Sequence, residues 1–386
     1  MSRRFVAASA FFIGLVACAS STTDGNGDAV TPEDDLTASV PVTGPDETDS
    51  PTALAPAGYD SAGTDLLDIR GVGDSAYSET HQKDPLPAGI GAALDRFDPT
   101  GLKLKGDLTF MNWETVVGNH CDQFSKPYVA GSSYAFLSRP ENLTQLYAHG
   151  VNLIGLSNNH SRDCSNGGGE DTSSKMSTSF LDGMSGNDWL WAGIAEKQAD
   201  VRVAKVRTFT IKGKPVKVAF GDVYTGRGTC PLSTCQDDAA ALMKSIRDAD
   251  ADIRILALHS QDSQPALVKT GTDFIEQYNG DVVMGHGPHV WEPVRILDKK
   301  AVGTGKGVFF ESLGNFLHPG CAAQTKNFIG RALFDANFKL KQVQLLPVTN
   351  TGKDVKLSSA DPATVPANLH WTPTGRDRGV YANIKP

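Results

Sequence analysis

Five short segments carry residue types that could act together on a substrate. They are Gly73-Asp74, Asn112-Trp113-Glu114, Asn158-Asn159-His160, His259 and Gly285-His286-Gly287-Pro288-His289. They supply carboxylates, amide oxygens and imidazoles, an oxygen-and-nitrogen set suited to one or two divalent cations such as Mn, Zn or Fe. The candidate ligands are Asp74, Glu114, Asn159, His259, His286 and His289. Glu114 is the natural bridge, because one carboxylate can hold two cations a few ångströms apart.

For these side chains to meet, each must leave a strand at a common rim. Apolar runs at 66–73, 108–113, 151–157, 253–258 and 281–285 read as buried strands that end at the five segments. Helix-like stretches lie between them at 140–149, 171–184, 237–249 and 265–278. Pro140 and Pro265 suit first-turn positions, and Gly150 and Gly280 suit C-terminal caps. Alternating strands and helices predict a mostly parallel sheet, which gathers its C-terminal strand ends on one edge where ligands bind. Two hairpin-like pairs, 205–212 with 216–224 and 329–334 with 340–348, predict a second sheet. The expectation is an α/β fold, a two-sheet mixed β-sandwich flanked by helices over 65–348, with a C-terminal extension at 349–386 on the surface.

The 386 residues are 40% hydrophobic and 21% charged, enough for one large domain. A net charge of −8 argues against nucleic acid, whose phosphates need a basic face. Residues 1–18 read as an export signal: Arg3 and Arg4, then an apolar run to Ala17. Leu15-Val16-Ala17-Cys18 closes it and resembles a bacterial lipoprotein signal, in which the Cys18 thiol receives the lipid. The expected location is therefore outside the cytoplasm, lipid-anchored to the cell envelope. Ala19 after the cysteine resembles the Gram-negative pattern for passage to the outer membrane, so the expected site is the outer membrane or the periplasmic face. No later apolar stretch is long enough to cross a bilayer. Residues 19–64 contain no Lys or Arg and little apolar surface, so they are expected to form a disordered acidic tether. Five further cysteines follow: Cys121, Cys164, Cys230, Cys235 and Cys321. Export makes disulfides reasonable. Cys230 and Cys235 flank a short loop, while Cys121 and Cys164 each follow a motif segment, and the sequence leaves the pairing open.

The order of these motifs, closed by Leu313-Gly314-Asn315-Phe316, resembles the bacterial capsule proteins of the CapA/PgsA type over about 66–319. That family is associated with poly-γ-glutamate synthesis and release, and is similar to metallo-dependent phosphatases. The resemblance implies a metal-dependent hydrolase or transferase. Its partners would be an anionic cell-surface polymer of the poly-γ-glutamate kind and a capsule synthase complex. By analogy one metal would take Glu114, Asn159, His259 and His286, and the other Asp74, Glu114 and His289. His160 would serve as general acid, with Asp163 orienting its ring. Arg162 and Arg227 are candidates to offset substrate charge.

Three positions depart from the pattern. Ala76 stands where the wider phosphatase family has a histidine, which predicts a weakened metal position at Asp74. His286 and His289 are separated by two residues instead of one. Ser260-Gln261-Asp262 replaces the usual residues after His259, leaving Asp262 or Gln264 to take over any contact of a lost Glu. Each residue alone has a plainer reading. His259 reads as a core imidazole, Asn158 and Asn159 as turn formers, Asn112 as a brace for Glu114, and Asn315 as a backbone brace. His81, His120, His149, His318 and His370 fit no ligand spacing. The plainer readings would have to hold for every segment at once, in the family's order. A non-catalytic factor with a degraded metal site, or a periplasmic phosphoesterase, are the competing functions.

Overall fold

The computed structural model describes residues 65–385 apart from 79–82, 128, 130–132, 168–170, 185, 187, 262–263, 320–323 and 376–377. The expected signal with Cys18, the tether, His81, Asp262 and Cys321 lie outside the described residues.

In chain order, β1 (Leu67–Ser75) leads through α1 (Ile90–Phe97) to β2 (Leu108–Trp113). The short strands β3 (Val116–Val117), β4 (Gln123–Phe124) and β5 (Leu137–Ser138) precede α2 (Glu141–Ala148). Next come β6 (Leu153–Gly155), β7 (Cys164–Ser165), α3 (Asp171–Asp182) and β8 (Leu190–Ala192). The hairpin β9 (Lys205–Ile211) and β10 (Lys214–Tyr224) leads to α4 (Ala239–Asp248), β11 (Ile253–His259), α5 (Gln264–Tyr278) and β12 (Val282–His286). The chain closes with β13 (Val294–Asp298), β14 (Lys306–Phe310), β15 (Asn315–Leu317), β16 (Gln324–Phe334) and β17 (Leu340–Asn350). The last three strands are β18 (Val355–Leu357), β19 (Thr372–Pro373) and β20 (Val380–Asn383).

Two mixed sheets result. The larger runs β19-β20-β17-β16-β1-β2-β6-β8, with β15 on β1 and β18 on β17, and the smaller runs β13-β14-β12-β11-β10-β9. They face each other across one apolar layer. Ile69 and Phe110 from the larger sheet meet Val218, Phe220, Ile255, Ala257, Met284 and Phe310 from the smaller. Alternate residues point the other way, as period-two strands require. Val223, Leu256, Leu258 and Phe309 pack under Leu242 and Ile246 of α4 and Phe274 of α5. Met111 and Ile154 pack under Leu94 of α1 and Leu143 and Leu146 of α2. Strands buried on both faces explain the near-continuous apolar runs. Burying each Leu or Ile contributes about 1.5–3 kcal/mol, so a charge at Ile246 would detach α4.

The α/β expectation with mixed sheets holds, but the route differs. The five strands that end at the motifs do not share one sheet: β1, β2 and β6 belong to the larger, β11 and β12 to the smaller. The hairpins also divide, β16–β17 joining the larger sheet and β9–β10 the smaller. Residues 349–386 do not merely coat the surface, since β18, β19 and β20 extend the larger sheet and β17 itself runs to Asn350. Hydrogen bonding along free strand edges outweighs the polar, Pro-rich character of this tail.

Candidate metal centre

Strand register aligns the candidates. Asp74 at the end of β1 stands opposite Asn112 on β2 and Asn315 on β15, and His259 stands opposite His286. At Gly73 the backbone of β1 meets the turn before β15 so closely that a Cβ would lie 1.8 Å from the Gly314 carbonyl oxygen, so only glycine fits there. Gly287 has φ +110°, and from that turn its N–H donates to Asp74 Oδ2 at 3.0 Å. This bond joins the smaller sheet's turn to the larger sheet's carboxylate. His289 follows with φ 61°, a left-handed conformation rare outside glycine.

Two groups converge. Asp74, His259 and His286 form one, and Glu114, His289 and His318 the other, with the ligand atoms of each within 4.8 Å of one another. The groups are contiguous: His259 Nε2 lies 3.7 Å from Glu114 Oε1, and His289 Nδ1 lies 3.1 Å from Asp74 Oδ2. This grouping differs from the partition the resemblance implied, while the His259–Glu114 and His289–Asp74 separations keep both arrangements within one contiguous cluster. Asp74 sits with His259 and His286, while Glu114 sits with His289 and with His318, which no sequence spacing singled out. The signal that could have found His318 is its place just beyond Asn315, directly after the strand β15 that pairs with β1.

Asn159 donates from Nδ2 to Gln261 Oε1 at 2.9 Å, and its Oδ1 is buried without a partner. Asn158 is a brace. Its Nδ2 donates to Asn112 Oδ1 and the Trp113 carbonyl, each at 3.2 Å, and its Oδ1 accepts from the His160 N–H at 3.1 Å. Asn112 Nδ2 donates to Asp74 Oδ1 at 2.7 Å. Asn315 Oδ1 lies 2.9 Å from His289 Nδ1. His160 Nδ1 lies 2.5 Å from Asp163 Oδ2, and the same oxygen accepts the Phe136 N–H at 2.8 Å. The other face of His160 looks at Glu114, Nε2 to Oε1 at 3.8 Å. Arg162 is half-buried and Arg227 exposed.

Burial dominates the electrostatics. It pushes the Asp74 carboxyl up, but the hydrogen bond and charge of His289, with His259 and His286 beside it, outweigh burial and hold Asp74 well below the usual range. Burial, then the charge of Asp74, raises Glu114 to about 8. Burial lowers His259 well below its ordinary value, His286 to about 4 and His318 to about 3, the last helped by His289. His289 alone is raised, to about 9, because its contacts with Asp74 and Glu114 overcome burial. The neutral imidazoles of His259, His286 and His318 present lone pairs, the form a metal needs.

The donor set fits a divalent cation on one further observation. Both oxygens of Glu114, Oδ1 of Asn159, Nε2 of His259 and His286, and both ring nitrogens of His318 are buried with no hydrogen-bond partner. Each such orphan costs about 1–3 kcal/mol. Gathered in one place, these atoms could hold a divalent cation. A cavity of about 650 Å³ lies at the other end of β1, beside Asp68, Arg70 and Arg331. Its buried charges pair with each other, so it offers no comparable set of free donors.

Both cysteine pairs left open by the sequence close: Cys121 bonds Cys164 and Cys230 bonds Cys235. The first staples the segment directly after Asp163.

The architecture and site define a class: a two-sheet α/β protein with histidines and carboxylates gathered where the sheets adjoin. The chain belongs to the bacterial capsule synthesis protein family PGA_cap, whose model matches residues 101–319. The match includes Glu114, Asn159, His259, His286, His289 and His318, while Asp74 precedes it. No curated protein matches the sequence. Among solved structures, a hypothetical protein from Thermus thermophilus is similar at 12% identity and TM-score 0.41, covering 74% of this chain and 100% of its own.

Proposed function

We propose that this chain is an exported, lipid-anchored capsule-synthesis protein with a metallo-dependent phosphatase-like centre. In this reading it hydrolyses or transfers at an amide or ester bond of an anionic cell-surface polymer of the poly-γ-glutamate kind. The observation that carries it is the cluster of unpartnered, buried oxygen and nitrogen atoms on Glu114, Asn159, His259, His286 and His318. Asp74, His259 and His286 would hold one divalent ion, with Glu114 and His289 beside it. A bound cation supplies Lewis acidity and eases ionisation of water near neutral pH. The chain's own part is positioning. Asn112 and Gly287 fix the Asp74 carboxylate, and Asn315 orients His289. Asp163 holds Nδ1 of His160, leaving Nε2 directed at the centre to pass a proton to a leaving group. Arg162 and Arg227 are the cations proposed to draw a polyanion to a chain of net charge −8. Membrane contact is through the lipid on Cys18, and the macromolecular partner is a capsule synthase.

A second reading is a non-catalytic polymer-binding envelope factor. It is favoured by the enclosure of the centre, since Asp74, Glu114, His259 and His286 are each 0% exposed. Elemental analysis for Mn, Zn and Fe, followed by assays on poly-γ-glutamate and an aryl phosphate, separates the readings. Metal with polymer cleavage supports the first. Release of phosphate alone points to a phosphoesterase. Polymer binding without turnover supports the second.

A further inference from the structure

Resting on the metal-centre reading above, we propose that His318 is itself a metal ligand. With Glu114 and His289 it completes a second cation position, so that the chain takes up two divalent ions. The imidazole is 3% exposed, and neither ring nitrogen has a hydrogen-bond partner. A neutral imidazole always carries one N–H, so a structural histidine buried this way would leave a donor and an acceptor both unsatisfied. Its Nε2 lies 3.4 Å from Glu114 Oε2, and both Glu114 oxygens are orphaned as well. Its ring centroid is 5.0 Å from that of His289 and meets the Phe136 ring edge-on at 5.3 Å.

The backbone of His318 is, by contrast, fully tied. Its N–H donates to Asn350 Oδ1 at 3.1 Å, and its carbonyl accepts from Asn350 Nδ2 at 3.0 Å. One side chain thus fixes both main-chain groups, and the imidazole holds the only polar atoms left over. The strand before it is anchored in the same way, Ala76 donating its N–H to the Leu317 carbonyl at 2.7 Å. Ala76 brings no ligand to that rim, and the neighbouring strand brings an imidazole there. His318, directly after β15, thus brings to the Glu114–His289 group an imidazole that β1 does not.

The test strips the full chain with chelator, reloads it with Mn²⁺ and reads stoichiometry by elemental analysis and the ions' coupling by electron paramagnetic resonance. Wild type is expected to hold two ions with an exchange-coupled signal. His318→Ala and the bulk-preserving His318→Gln are expected to hold one, with the signal of an isolated ion and second-site affinity weakened roughly tenfold or more. Near-UV circular dichroism checks that both variants keep the fold. Variants that retain wild-type stoichiometry and coupling overturn this inference and leave the metal-centre reading standing. A wild-type chain that takes up no Mn²⁺, Zn²⁺ or Fe²⁺ overturns that reading as well.

Discussion

The Nδ1 atoms of His259 and His286 face each other at 2.9 Å. Both rings are kept neutral by burial, so one must donate and the other accept. The acceptor then carries its hydrogen on Nε2, and Nε2 of each ring is buried without a partner. No choice of tautomer satisfies the pair. Asp74 Oδ1 stands 3.5 Å from one Nδ1 and 3.7 Å from the other, so three lone-pair carriers converge.

This geometry makes a contrast between loaded and stripped protein. Glu114 has no hydrogen bond to lose, and burial already favours its neutral form. With Glu114 as the bridge between the two groups, Glu114→Gln is expected to abolish metal retention, while in chelator its stability stays within about 1 kcal/mol of wild type or rises. Elemental analysis and chelated thermal melts check this. Full metal loading in the variant would rule out a ligand role for Glu114.

Asp222 gives a stability signature separate from the centre. Its Oδ2 accepts the Ser157 N–H at 2.6 Å, Oδ1 has no partner, and burial raises the carboxyl to about 7. The folded state therefore favours the protonated form, and its contribution is present below pH ~4 and lost as pH rises toward 7. A shift of this size corresponds to a few kcal/mol, roughly 4 at most. Asp222→Asn should gain stability relative to wild type at pH 8 compared with pH 5. Urea titrations at the two values measure it, and an equal difference at both would sink the assignment.

At the opposite end of β1, Asp68 binds two guanidinium groups, Arg70 at 2.8 Å and Arg331 at 2.8 Å. Burial pushes its carboxyl up, but the two arginines outweigh burial and hold it below the ordinary value. This contribution is present above pH ~4 and lost as pH falls through the depressed pKa. Asp68→Ala leaves two buried cations uncompensated and is expected to cost about 3–5 kcal/mol. Metal content per folded chain should not change, because Asp74 lies six residues on, about 20 Å along the strand.

The Cys121–Cys164 bond closes a loop of sequence separation 43, against 5 for Cys230–Cys235. Chain entropy then predicts a loss of about 4 kcal/mol when the first is replaced by a pair of serines and about 2 kcal/mol for the second. Only the first should also loosen Asp163 from the Phe136 N–H, read as faster amide exchange there. Equal losses for the two pairs would contradict the loop-length argument.

Much of the fold was legible because its strands are buried on both faces and show as unbroken apolar runs. The runs at 108–113 and 253–258 match β2 and β11 to within a residue. What the sequence hid was which sheet each run joins, since pairing is decided by contacts far apart in the chain. The candidate ligands were legible as a set because their motifs end strands. Their spatial grouping was not, since it depends on how the two sheets abut. His318 was missed because it follows β15, a strand only three residues long that pairs with β1.

The bond from Gly287 to Asp74 ties one layer of the sandwich to the other. An ion seated there would act as a rivet through both layers, resisting shear between them. Stripping it should soften the whole molecule along that seam, well beyond the few side chains that touch it.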